Sequence, residues 1–135
     1  MTGVAIMKYK RETAFRYTFK EPLPAFFKIV MIDQRLVETA EGFAKIIDIS
    51  PRGLKLNSEL NIPNIEGKRI KLCIRFTINQ EDFQFVGNIM WKKHAGKTTD
   101  YGIELLVDDS AELEIIKQLK IFSKKTFTIK KHVRH

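Results

Sequence analysis

The sequence predicts a mainly-β domain: six or seven short strands forming a small barrel or sandwich, then one C-terminal helix. Three observations carry this. Arg69–Ile78 alternates strictly, aliphatic or Phe at every even position and mostly charged at odd ones, the pattern of a half-buried strand. The polar segment Asn79-Gln80-Glu81-Asp82 leads into a second alternating run, so the two read as a hairpin. Ile115, Ile116, Leu119 and Phe122 then recur at helical spacing. Short strands at this spacing fit a barrel or sandwich better than a parallel sheet.

Taken in order, Phe15, Tyr17 and Phe19 alternate with Arg16, Thr18 and Lys20, and Ala25 to Ile32 is apolar on both faces. Phe43–Ile49 and Leu54–Leu56 flank the turn Asp48-Ile49-Ser50-Pro51-Arg52-Gly53. There Asp and Ser bond their own backbone, Pro fixes φ and Gly supplies a left-handed position. Residues 57–67 are weakly patterned and read as a loop. The second alternating run turns Phe83, Phe85, Ile89 and Trp91 inward, with Gly87 marking a bulge or bend. After a loop containing Gly96, Tyr101, Ile103, Leu105 and Val107 form a third alternating strand. Asp109 is the expected cap of the helix, with Glu112 in a capping-box position. Lys117, Lys120, Lys124 and Lys125 lie toward its C-terminal end, where the helix dipole favours cations. Phe127, Ile129 and the basic residues beyond have no clear pattern.

The 135 residues fit a single domain, and 44% hydrophobic residues with ten Phe suffice for a core, which excludes a disordered chain. One Cys excludes a disulfide scaffold and a Cys-cluster metal site, and fits a reducing compartment. No apolar run approaches the roughly 18 residues of a membrane helix. Met1–Met7 has neither the charged start nor the long apolar stretch of a signal peptide. The expectation is a soluble, cytoplasmic protein. Its net charge of +8 is uneven: Lys8 to Lys20 carries +4, the chain after Glu114 carries +7, and the remainder −3. Two basic ends favour an anionic partner without naming it. The plain alternative is a solvated arm and a solubilising tail.

Catalytic constellations are absent. Ser50 lies near Asp48 but has no local His; His132 and His135 are in the basic tail and His94 adjoins a turn. There is no P-loop, HExxH or paired-Cys spacing, so neither a metal nor a cofactor is expected. Two features remain. One is the basic segment Lys8–Arg16, whose arginines suit phosphate and guanine through their planar fork. The other is the Asp48–Gly53 turn, an ordinary tight connection or a carboxylate that accepts from a guanine edge.

Together these features resemble the PilZ domain family of cyclic di-GMP receptors. The Asp-x-Ser-x-x-Gly signature is complete as Asp48, Ser50 and Gly53 and follows an arginine-bearing segment. Phe85-Val86-Gly87-Asn88-Ile89-Met90-Trp91 and Tyr101-Gly102-Ile103-Glu104-Leu105 look like the family's later strands. The resemblance spans Lys10 to Ser123 and implies a six-stranded antiparallel β-barrel with a C-terminal α-helix. Residues 1–135 would be one such domain: a core of about 10–123, an arm of 1–9 and a basic tail of 124–135. It implies a cyclic di-GMP site made of Arg11, Arg16, Asp48, Ser50 and Gly53, with Lys10 and Arg52 as further candidates. One departure stands out: Arg11 and Arg16 are five apart, whereas the family motif sets its arginines four apart, and position 12 is Glu.

The resemblance therefore implies a stand-alone, non-enzymatic bacterial receptor. Its arm would order on binding and signal to a partner protein serving motility, exopolysaccharide synthesis or another output. Two other readings stay open. One is a PilZ-like adaptor that has lost nucleotide binding and works by protein contacts. The other is a small basic barrel for single-stranded nucleic acid, weakened because the polar face of Arg69–Ile78 carries no aromatic residues for base stacking.

Overall fold

The computed structural model describes residues 16–63 and 66–133, with 126–133 described as backbone alone. Among the described residues seven strands precede one helix: β1 (Tyr17–Ile32), β2 (Arg35–Leu36), β3 (Gly42–Ser50), β4 (Gly53–Ser58), β5 (Ile70–Ile78), β6 (Glu81–Ala95), β7 (Thr98–Leu105) and α1 (Asp109–Val133). The sheet order is β2-β1-β3-β4-β7-β6-β5, and β1 also pairs with β5. That pairing closes six antiparallel strands into a barrel and leaves β2 as an extra strand on β1. Closure pairs the two terminal strands of the six with each other, so neither is left without a partner on that side along its whole length.

Period-2 burial builds the interior. Ile70, Leu72, Ile74, Phe76 and Ile78 all face inward on β5, as their alternation requires. Ile46, Ile49, Leu54, Leu56, Tyr101, Ile103 and Leu105 meet them from β3, β4 and β7. The two upstream runs merge into one 16-residue strand, β1, whose register shifts between Thr18 and Leu23. Its doubly apolar half has a cause on each side. Ala25 and Phe27 are core, whereas Phe26 points outward onto Phe43, 5.6 Å between ring centroids, and beneath the Arg75 guanidinium, 4.6 Å from the ring.

The β5–β6 connection is shorter than the polar segment suggests. Asn79 and Gln80 both have left-handed φ, 54° and 66°, which matches the twist of the strands in a two-residue turn. Glu81 and Asp82 are thereby free to join β6. Gly87 is not the bulge. The irregularity of β6 lies between Ile89 and Trp91, and Gly87 instead lets β7 approach: a Cβ there would stand 2.8 Å from the Glu104 carbonyl oxygen.

α1 closes one end of the barrel. Ile115 and Leu119 are buried, and Phe122 makes edge-to-face contacts with Tyr17 and Phe19 at 5.9 and 5.6 Å. Gln118 accepts from Asn79 Nδ2 at 2.9 Å and donates to Glu81 and Glu114. The cap is Asp108 rather than Asp109: its Oδ1 accepts from Ala111 N at 2.8 Å, and its carbonyl from Glu112 N at 3.0 Å. No Pro or Gly follows Glu114, so nothing in the sequence stops the helix, and its backbone continues to Val133 through most of the expected tail. The other end is closed by the loop after β4. There Tyr101 Oη donates to Leu60 O and accepts from Ile62 N, both at 2.8 Å, and Lys92 Nζ donates to Ile62 O at 2.7 Å.

Candidate ligand-binding site

Register sets one row of outward positions across five strands: Thr18, Asp48, Lys55, Gly102 and Trp91 are consecutive partners on β1, β3, β4, β7 and β6. At the β1 end, Arg16 Nη1 pairs with Asp48 Oδ1 at 2.9 Å. The carboxylate is largely sheltered, its side chain 14% exposed, whereas the guanidinium is 63% exposed. In the middle, Lys55 Nζ lies 3.7 Å from Asp100 Oδ2. At the far end the Trp91 indole lies across the bare Gly102 backbone. A groove of about 300 Å³ follows this row, lined by Arg16, Asp48, Ser50, Lys55, Trp91 and Glu104 among others.

The Asp48–Gly53 segment is the end of β3, a two-residue turn and the start of β4, with Ser50 paired to Gly53. Ser50 Oγ donates to Gly53 O at 3.2 Å. Gly53 does not take the left-handed conformation expected of it. Glycine serves close approach here, since a Cβ would stand 3.1 Å from the Ile103 carbonyl oxygen. Pro51 is fully buried, which fixes the turn to the barrel.

Of the residues expected from sequence, Arg16, Asp48, Ser50 and Gly53 line one groove. Arg52 lines it too, but its guanidinium is engaged on α1. Nε donates to Glu112 Oε1 at 3.1 Å and Nη2 to Glu112 Oε2 at 2.9 Å, with Asp109 3.9 Å away. Glu112 is 1% exposed, so this bidentate pair, not a capping box, explains the residue. Lys10 and Arg11 lie outside the described residues. Sequence reasoning missed Lys55 and Trp91. Trp91 was expected in the core by extending the odd-numbered alternation from Ile89. The bulge before it reverses the phase and leaves the indole 46% exposed. The available signal was Gly102, an outward position without a side chain in an otherwise regular strand.

Chemically, the groove sets a carboxylate acceptor and a guanidinium donor within 2.9 Å, a hydroxyl beside them, and an aromatic face across two strands. Among the described residues, no group of three His, Cys, Asp or Glu side chains could hold a metal ion.

A family model of the PilZ domain matches residues 10–121. The chain belongs to the PilZ domain family. Its barrel is similar to that in a crystal structure of the PilZ domain of CeSA from a cellulose-synthesizing bacterium. The TM-score is 0.54 and the identity 14%, covering 77% of this chain and 93% of that one. At that identity the likeness is one of fold. A search of curated proteins returned no match. In this PilZ domain the Asp-x-Ser-x-x-Gly signature therefore occupies a hairpin whose outer face opens into the groove and whose turn is tied to the helix.

Proposed function

We propose that this PilZ domain is a non-enzymatic bacterial receptor for cyclic di-GMP that signals from the cytoplasm to a partner protein. The observation that carries the reading is the Arg16–Asp48 pair on the groove wall. A guanine offers acceptors at O6 and N7 and donors at N1 and N2, so it can replace the direct ion pair with contacts to both partners. Arg16 donates to O6 and N7, and Asp48 accepts from N1 and N2. Lys55 offers its ammonium group to a phosphate, and Ser50, whose hydroxyl is held on Gly53 O, adds a polar contact. Trp91 supplies a face for stacking, which contributes about 1–3 kcal/mol per base at aromatic platforms. Lys10 and Arg11 complete the phosphate grip as the arm orders over the groove, and the ordered arm is the surface offered to the partner.

Calorimetry with cyclic di-GMP at moderate salt tests this. Binding at tens of micromolar or better is expected, and Asp48→Ala should weaken it more than Lys130→Ala. Equal losses would mean diffuse electrostatics instead of a site. The Arg11–Arg16 spacing of five favours a second reading, an adaptor that binds no nucleotide. A folded protein that gives no heat with the ligand establishes that reading and ends the first.

A further inference from the structure

A second trough crosses the outside of the barrel. Leu36, Met31, Lys71, Asn88 and Glu104 are consecutive register partners on β2, β1, β5, β6 and β7. Four strand spacings make this row about 19 Å long. A space of about 1050 Å³ follows it, lined by Arg35, Lys68, Arg69 and Lys71 among others. It meets the ligand groove at Met90 and Glu104, which line both. The local fold holds the cations together. Asp33 takes a left-handed φ of 56° in the two-residue turn between β1 and β2. Its N–H donates to Arg69 O at 2.7 Å, and its Oδ1 accepts from Arg69 N at 3.0 Å. The hairpin that carries Arg35 is thereby tied to the segment that carries Lys68 and Arg69.

The trough differs from the rest of the surface in its unanswered charge. Arg16, Arg52 and Arg75 each hold a carboxylate. Among the described residues, Arg35, Lys68, Arg69 and Lys71 make no ion pair. Of the two acids that line the trough, Asp33 is engaged on the Arg69 N–H and Glu104 stands at the β7 end. Apolar side chains are exposed at both ends of the row, Leu36 at 81% and Met90 at 60%. A bilayer surface is flat, whereas these cations line a concave space. No aromatic side chain lines it, so the bases of a single-stranded nucleic acid would have no stacking platform. An extended peptide fits, since six residue steps of about 3.3 Å cover the row. Its carboxylates would accept from the planar forks of Arg35 and Arg69. Apolar residues on either side of the acids would cover Leu36 and Met90, and Met adapts its shape to such a contact. Glu104 repels an acid at the β7 end, which sets the direction of the peptide.

We propose that this trough docks an extended acidic segment of a partner protein, with apolar residues flanking its acids. The inference goes beyond the reading of the ligand groove and holds whether or not a nucleotide binds there. The test is an NMR titration of the full chain with the peptide acetyl-Leu-Ser-Glu-Ser-Glu-Ser-Leu-amide, and with the same peptide carrying Gln for Glu. Saturable amide shifts at Arg69, Lys71, Asn88 and Met90 are expected with the Glu peptide, weakening as salt rises. The Gln peptide should bind at least about tenfold more weakly, since each exposed charge pair contributes up to about fivefold. Arg35→Gln with Arg69→Gln should weaken the Glu peptide by about the same factor, and Lys68→Gln with Lys71→Gln should weaken it as well. These side chains make no ion pair within the described chain, so the thermal midpoint should hold, which separates lost docking from lost folding. No saturable shift, or equal affinity for the two peptides, overturns the proposal. So does an equal loss from Lys45→Gln with Lys93→Gln, which lie outside the trough. Tighter binding of a single-stranded oligonucleotide with the same dependence on the four cations overturns it by making the trough a nucleic-acid surface. A dimer of the chain alone that dissociates on the same substitutions overturns it by making a second copy the occupant.

Discussion

Gly102→Ala probes the groove from beneath its aromatic wall. A Cβ at position 102 would overlap Nε1 and Cε2 of the Trp91 indole and stand 2.7 Å from Cδ1, where ordinary contact begins at 3.4 Å. The backbone of β7 is held on both sides by β4 and β6, so the indole must yield. It must move by at least about 0.7 Å at Cδ1 and further at Nε1, since ordinary contacts lie near 3.5–4.0 Å. With the ring already 46% exposed, its way outward is open. If about 70 Å² of ring surface returns to water, the loss is about 1.7 kcal/mol. Removing a strand glycine gives back about 0.4–1 kcal/mol through the unfolded chain. The net is about 1 kcal/mol, or a fall of about 3–5 °C in Tm for a chain of this size. Trp91 is the sole tryptophan, so its fluorescence reports on this site alone. Gly102→Ala should red-shift the emission and increase acrylamide quenching. Loss of the stacking face should weaken cyclic di-GMP about tenfold, inside the range for one stacked base. Unchanged emission and quenching in a folded variant would refute the placement of the indole on Gly102. Unchanged affinity despite a shifted emission would refute its role as a platform.

Other substitutions test the frame around the groove. Arg52→Ala strands much of the Glu112 carboxylate and should cost about 2–3 kcal/mol, seen as a Tm lower by about 8–12 °C. A double-mutant cycle with Glu112→Gln should return most of that as coupling, and coupling below about 0.5 kcal/mol would refute the pair as the link between turn and helix. Asp108→Ala should cost about 1 kcal/mol in chemical denaturation, and Asp109→Ala clearly less, because the first accepts from the helix backbone. Burial raises the Tyr101 phenol above its ordinary value, and the N–H of Ile62 partly offsets this. The folded chain therefore holds this proton more tightly than the unfolded one. The stabilisation is fully present below pH about 10 and is lost as pH rises beyond. Tyr101→Phe should be less stable near neutrality, by about 1–2 kcal/mol, but decline less steeply under alkali in pH-dependent denaturation.

Much of the barrel was legible because burial on a strand is a local pattern. The even positions of Arg69–Ile78 needed no partner to reveal which face is core, and the same holds for Tyr101, Ile103 and Leu105. Asp48, Ser50, Gly53 and Arg16 were named together by resemblance, and the fold brings them to one groove. Less legible was anything that turns on the phase of a strand after an irregularity. Trp91 was misplaced because one bulge reverses inside and outside, and no feature of the residues beside it announces that reversal. Glu112 was read as a local cap because its partner, Arg52, is 60 positions away. The helix cap was misread by one residue, since Asp108 and Asp109 differ only in which carboxylate reaches the Ala111 N–H.

The sequence alone determined the class of fold, the hairpin that bears the signature, and the separation of positive charge into two ends. Each follows from composition or from the period of neighbouring residues. Tertiary structure decided which charges meet. It joined Arg16 to Asp48 across 32 positions and Arg52 to Glu112 across 60, and it set Trp91 over Gly102. It also committed one side of α1 to the barrel through Ile115 and Leu119, which leaves Lys117, Lys120 and Lys124 exposed. The reason is physical. Periodicity records how each residue divides itself between water and core, whereas pairing depends on register between distant strands, which closure and bulges set only when the whole barrel forms.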